Sequence, residues 1–199
     1  WQSLVTLLLR SRGLIFGLGD RGTATLANFV LTLALVRAFD LGDFGRFSLC
    51  YLLVNASQTF LRGGLIVAMH SIGSKRPAAQ LPYYRAFLCL NFLLVTAATI
   101  VLLWLLSPLL ALLIGEKWIL ETLPALLAAS AAFMFTMFFH SYFFLGKQKA
   151  HLSLCITIIF YGGVLLLVLV FRHTLEIVDV LHFIALSGFL APLPFLPMF

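Results

Sequence analysis

Six apolar stretches, at residues 22–39, 47–72, 86–106, 118–145, 152–171 and 180–199, follow one another with only short polar connectors between them. At a rise of 1.5 Å per residue, a helix of about 20 residues matches the ~30 Å hydrocarbon core of a bilayer. The stretches are too long and too uniformly apolar for strands, and they lack the alternation of a membrane barrel. Composition agrees. The chain is 62% hydrophobic and only 10% charged, with a mean hydropathy of +1.10, whereas soluble domains run at roughly 45–50% and ~25%. So little charge leaves too little polar surface to cover a water-soluble enzyme of 199 residues. The expected fold is all-α: a polytopic membrane helix bundle of about six transmembrane helices.

The connectors carry an orientation signal. The first, third and fifth polar islands hold Arg10, Arg12, Arg21, Lys75, Arg76, Arg85, Lys147 and Lys149 against one acid, Asp20. The second, fourth and sixth hold Arg37, Arg46, Lys117 and Arg172 against Asp40, Asp43, Glu116, Glu121, Glu176 and Asp179. Basic residues concentrate on the cytoplasmic side of membrane proteins, so the N-terminus is expected inside. The net charge of +6 thereby points to the membrane surface and away from nucleic acid. Residues 1–13 read as an interfacial segment with Trp1 at headgroup level, and 14–199 as the six-helix body. A start at Trp1 and a stop at Phe199 inside an apolar run read as one piece of a longer protein.

Several patterns look like chemistry without its context. Gly17-Leu-Gly19-Asp-Arg-Gly22 matches G-x-G-x-x-G, but a dinucleotide site needs a strand before the glycines and a soluble βαβ unit around them. Here the glycines are expected to ease helix packing or an interfacial bend. Asn55-Ala-Ser57 is a formal glycosylation sequon inside a span. Cys50, Cys89 and Cys155 stand singly in apolar runs, and the five histidines have no ligand spacing. No cofactor or metal set and no nucleophile–base set stands out, so the sequence offers no case for an enzyme.

Two polar stripes do stand out. On the second span Ser48, Asn55, Gln58, Thr59 and Arg62 fall within about 100° of one another at helical pitch. An arginine inside a span costs ~2.5–3.5 kcal/mol on insertion scales. Two readings follow: Arg62 faces a water-filled path and attracts an anion, or it snorkels to the cytoplasmic surface. On the first span Arg21, Thr25, Asn28 and Thr32 are spaced as one helical face, with ordinary interhelical hydrogen bonding as the plainer alternative. Arg21 also has Asp20 beside it as a partner. His140, near the cytoplasmic end of the fourth span, has two readings: it could carry a proton, or it is an interfacial histidine that needs no further explanation. Thr157 and Tyr161 align on the fifth beside Gly162-Gly163, a mark of close packing. Pro192, Pro194 and Pro197 are expected to break or bend the last helix.

The turn Leu35-Val-Arg-Ala-Phe-Asp-Leu-Gly-Asp-Phe-Gly-Arg-Phe-Ser-Leu49 resembles the first periplasmic turn of polysaccharide flippases. Arg37, Gly42, Phe44, Gly45, Phe47 and Ser48 match that family's pattern, and Asp43 stands where a proline is usual. Phe143-Phe-Leu-Gly146-Lys-Gln-Lys149 resembles the end of the family's fourth span. The likeness covers about residues 13–172 and points to the Wzx-like flippases of the multidrug/oligosaccharidyl-lipid/polysaccharide exporter superfamily.

That resemblance implies one lobe of a two-lobe transporter in the bacterial inner membrane. The implied cargo is an undecaprenyl-diphosphate-linked oligosaccharide, moved between leaflets by alternating access for surface polysaccharide assembly, with a glycan polymerase as a possible partner. It suggests Arg21 and Arg62 as diphosphate-binding residues, since arginine forks suit phosphate oxygens and stay charged. Asn28, Asn55, Gln58 and Thr59 complete the expected cavity, the amides for the glycan. Two alternatives are a multidrug cation antiporter lobe and a membrane protein with no cargo. The antiporter reading requires an acid deep in a span, and none is expected there.

Overall fold

The computed structural model describes residues 2–67, 80–115, 117–143 and 149–198. Six α-helices account for most of them: α1 (Gln2–Ala38), α2 (Leu41–Leu61), α3 (Leu81–Ile114), α4 (Trp118–Ser141), α5 (Ala150–Val170) and α6 (Ile177–Leu190). No strand occurs among the described residues. The chain is an all-α membrane helix bundle.

Local chemistry sets the helix ends. The Asp40 carboxylate accepts the Asp43 N–H at 2.7 Å and caps α2. Pro82 stands in the first turn of α3, where its missing N–H is no loss. That helix closes on Gly115, whose φ of 76° is the left-handed cap, with its N–H on the Ala111 carbonyl. Glu176 and Asp179 form a reciprocal capping box at the start of α6. After Leu190 the prolines do end the helix, and Leu193–Met198 continues as a 3-10 segment.

Three boundaries differ from expectation. Helix α1 runs unbroken from Gln2 to Ala38, so Gly17, Gly19 and Gly22 lie inside a helix and do not form a phosphate loop. Helix α3 extends past both expected ends and accommodates Pro108 in its interior. Beside that proline the Ser107 hydroxyl donates to the Trp104 carbonyl at 2.9 Å, a local use of backbone acceptors that proline leaves spare. Helix α2 passes at Arg62 into a π turn, Arg62–Ile66, closed by the Val67 N–H on the Arg62 carbonyl. Trp1, Lys75, Arg76, Glu116, Lys147 and the Phe144–Gly146 part of the fourth-span pattern lie outside the described residues.

Among the described residues, four stretches are long and apolar enough to cross a membrane: Pro82–Leu113, Trp118–Ser141, Ala150–Val170 and Ile177–Met198. Helices α1 and α2 have the length but not the hydropathy, because they carry the polar stripes. Helix α4 is the hub, 61% buried across its most apolar window against 22% for α3, and it packs on α2, α3, α5 and α6. A phenylalanine cluster fills that hub, with Phe92 stacked on Phe138 at 4.7 Å and Phe133 on Phe160 at 5.4 Å. Helix α6 reaches α4 at backbone distance through Gly188, where a Cβ would come within 2.9 Å of the Ala132 Cβ. The Thr136 hydroxyl seals that contact with a 2.7 Å bond to the Gly188 carbonyl. Gly163 likewise faces Ser187, as its small side suggested, whereas Gly162 faces open space. Helix α1 packs on α5 and scarcely touches α2. A seam therefore runs between α1 and α2.

Candidate functional site

The polar stripes of α1 and α2 meet at this seam. With α4 and α5 behind them they enclose a cavity of about 500 Å³. Helix α1 supplies Asp20, Arg21, Thr25 and Asn28; α2 and its π turn supply Asn55, Gln58 and Arg62. Helix α4 adds Met137, His140 and Ser141, and α5 adds Thr157 and Tyr161 over a floor of Phe133 and Phe160. Arg62 is about 22 Å along the helix from Phe47, and Asp20 about 26 Å from Arg37, at 1.5 Å per residue. The cavity thus occupies the half of the bundle nearest the first, third and fifth connectors.

Arg21, Asn28, Asn55, Gln58 and Arg62 all line this space. Arg62 takes the cavity position, at the junction where the α-helix widens into the π turn. Such junctions re-aim a side chain and are frequent at functional sites. Thr59 is the correction. It is exposed and its hydroxyl returns to the Asn55 carbonyl at 3.3 Å, four residues back, so it is not part of the wall. Thr32 and Ser48 do the same, bonding to the Asn28 and Phe44 carbonyls. A 100° stripe is wider than the cavity it borders, and residues at its edge bond to their own helix.

Asn28 lines the cavity and also makes the interhelical hydrogen bonds of the plainer alternative. Its Oδ1 accepts from the Tyr51 hydroxyl at 2.8 Å and its Nδ2 donates to the Tyr161 hydroxyl at 3.2 Å. One amide on α1 therefore ties α2 to α5 across the seam, in place of the direct packing that α1 and α2 lack. Tyr51 is in turn held by stacking on Phe47, at 5.7 Å and 17°. Asn55 donates to the Tyr51 carbonyl at 2.8 Å.

The least expected feature is Asp20. The sequence places it in a connector as the neighbour of Arg21. In the structure it lies within α1 and turns into the bundle, with its side chain 7% exposed. One carboxylate oxygen is 2.7 Å from His140 Nε2 on α4, and the other accepts from the Thr157 hydroxyl on α5 at 2.5 Å. Asp20 is thus a buried acid within α1 and not a residue of a connector. Burying an unpaired carboxylate is prohibitive, so a histidine and a hydroxyl converge on it. His140 is 20% exposed and lines the cavity together with Asp20.

The signal for Asp20 was present in the spacing. Asp20, Ala24 and Asn28 stand four apart, which is one helical face if α1 starts before Gly17. Starting the span at Gly22 hid it. His140 and Thr157 gave no comparable signal, since only the fold brings residues 120 and 137 positions from Asp20 beside it.

The formal charges decide what the cavity attracts. Two guanidinium groups stand against one carboxylate, so the wall is net positive even with His140 neutral. Among the described residues no group of three or more His, Cys, Asp or Glu side chains is placed to hold a metal ion. Comparisons with protein-family models, with curated proteins and with solved structures find no match to this chain.

Proposed function

We propose that this chain is one lobe of a flippase that carries a polyprenyl-diphosphate-linked oligosaccharide across the bacterial inner membrane. The carrying observation is that Arg21 and Arg62, on different helices, line one cavity with Asn55 and Gln58. A diphosphate brings two negative charges whose burial in an apolar medium requires paired cations, and arginine remains charged there. A volume of about 500 Å³ is of ligand-site size. It suits a diphosphate with its first sugars and not a complete prenyl chain. The α1–α2 seam, thinly packed and bridged by Asn28, lets such a tail stay in lipid. The positive-inside pattern puts the cavity toward the cytoplasmic leaflet, where this cargo would be collected.

Arg62→Ala in the intact transporter is expected to abolish surface polysaccharide at unchanged membrane abundance. Full display from that variant removes Arg62 from the mechanism.

Asp20 favours a second reading, an antiporter lobe for cationic compounds, because a buried carboxylate is what a cation or proton site needs. The two arginines in the same wall oppose it by repelling a cationic cargo. Transport of an organic cation that is lost in Asp20→Asn and kept in Arg62→Ala would select the antiporter.

A further inference from the structure

The Asp20–His140 pair faces the same space as the arginines, and its charge state changes what that space can hold. One Asp20 oxygen accepts from Thr157, and the other stands 2.7 Å from His140 Nε2, where an ionised carboxylate can only accept. A proton entering the pair therefore goes to the imidazole, which ends with both ring nitrogens protonated whichever carried the first. Imidazole is also the side chain whose charge changes between pH 5 and 8. With His140 neutral, Arg21, Arg62 and Asp20 leave the wall one charge positive. With imidazolium it is two positive, which balances a dianion. In a cavity with little water, matching the last charge matters far more than it does in bulk solvent.

We propose that His140, held by Asp20, is a proton-binding site that loads together with the diphosphate: the dianion enters with one proton, and releasing either weakens the hold on the other. This rests on the diphosphate reading of the cavity. Among the described residues, the other ionisable groups that line the cavity with the pair are Arg21 from α1, Arg62 from α2 and Tyr161 from α5. Arginine keeps its charge throughout, and a phenol ordinarily titrates near pH 10, so of these groups the imidazole is the one suited to take up a proton with the ligand. His151, edge-on to Phe16 at 6.1 Å near the start of α5, does not line the cavity.

The test is calorimetric titration of the intact protein in nanodiscs with farnesyl diphosphate, from pH 5.5 to 8, in buffers of different ionisation enthalpy. Comparing wild type with His140→Gln, whose amide still reaches Asp20, cancels the ligand's own titration. The expected result is up to one more proton taken up by wild type per diphosphate bound. Wild-type affinity should then fall more steeply with pH than the variant's, by up to about tenfold per unit. Asp20→Asn, which removes the carboxylate beside the imidazole, should reduce the extra proton uptake, and His151→Gln should leave it as in wild type. Inorganic pyrophosphate giving the same difference assigns the linkage to the diphosphate group, and a difference confined to farnesyl diphosphate assigns it to the lipid form. Equal proton uptake in wild type and His140→Gln overturns the proposal and leaves the diphosphate reading standing. No binding to wild type at any pH overturns both.

Discussion

The Asp20 carboxylate and the His140 imidazole meet at 2.7 Å across α1 and α4, although 120 positions separate them in the chain. This contact ties α1 to the hub of the bundle at the cavity level. Asp20→Ala removes the acceptor for His140 and Thr157 together, and should destabilise the protein by about 1–3 kcal/mol. Asp20→Asn keeps one acceptor and one donor and should lose less. Thermal unfolding in detergent ranks the three proteins, and an unchanged midpoint for Asp20→Ala would show that the pair contributes nothing to folding.

Water should reach one side of α2 and not the neighbouring one. In a background without Cys50, Cys89 and Cys155, Gln58→Cys lies in the cavity wall and Thr59→Cys outside it. A small anionic thiol reagent should modify the first at least about tenfold faster, helped by the adjacent arginines. Equal rates would mean that Arg62 snorkels along a lipid-facing stripe.

The Tyr51–Asn28–Tyr161 bridge should make a measurable contribution to holding α1 against α2 and α5. A double-mutant cycle between Tyr51→Phe and Asn28→Ala should give a coupling energy of about 0.6–1.7 kcal/mol, the range for hydrogen bonds between membrane helices. Additive losses would mean that the two side chains do not support one another.

Backbone contact between α4 and α6 predicts a sharp contrast between two glycines. Gly188→Ala forces a Cβ to 2.9 Å from Ala132 and should cost about 1–3 kcal/mol. Gly162→Ala meets no atom within 4 Å and should be neutral or stabilising by up to about 1 kcal/mol. Heat stability in detergent distinguishes them.

The helical bundle was legible because hydrocarbon thickness dictates span length, and Gly115 and the C-terminal prolines mark their boundaries directly. The arginine-bearing faces of α1 and α2 were legible because both follow helical spacing. Thr59 was misplaced because angular position alone does not separate a cavity wall from the lipid-facing edge beside it. Asp20 was missed because charged residues near a span end read as connector. His140 and Thr157 acquire meaning only through a carboxylate from a distant helix. The π turn at Arg62 leaves no periodic trace, since Gly63-Gly64 permits it without requiring it.

The cationic cavity is tested most directly by native mass spectrometry of the intact protein with an equimolar mixture of a polyprenyl diphosphate and the matching neutral polyprenol. The account predicts selective retention of one diphosphate lipid by wild type, and loss of that selectivity in both Arg62→Ala and Arg21→Ala. Equal retention of the two lipids by wild type, or undiminished selectivity in the arginine variants, would contradict it.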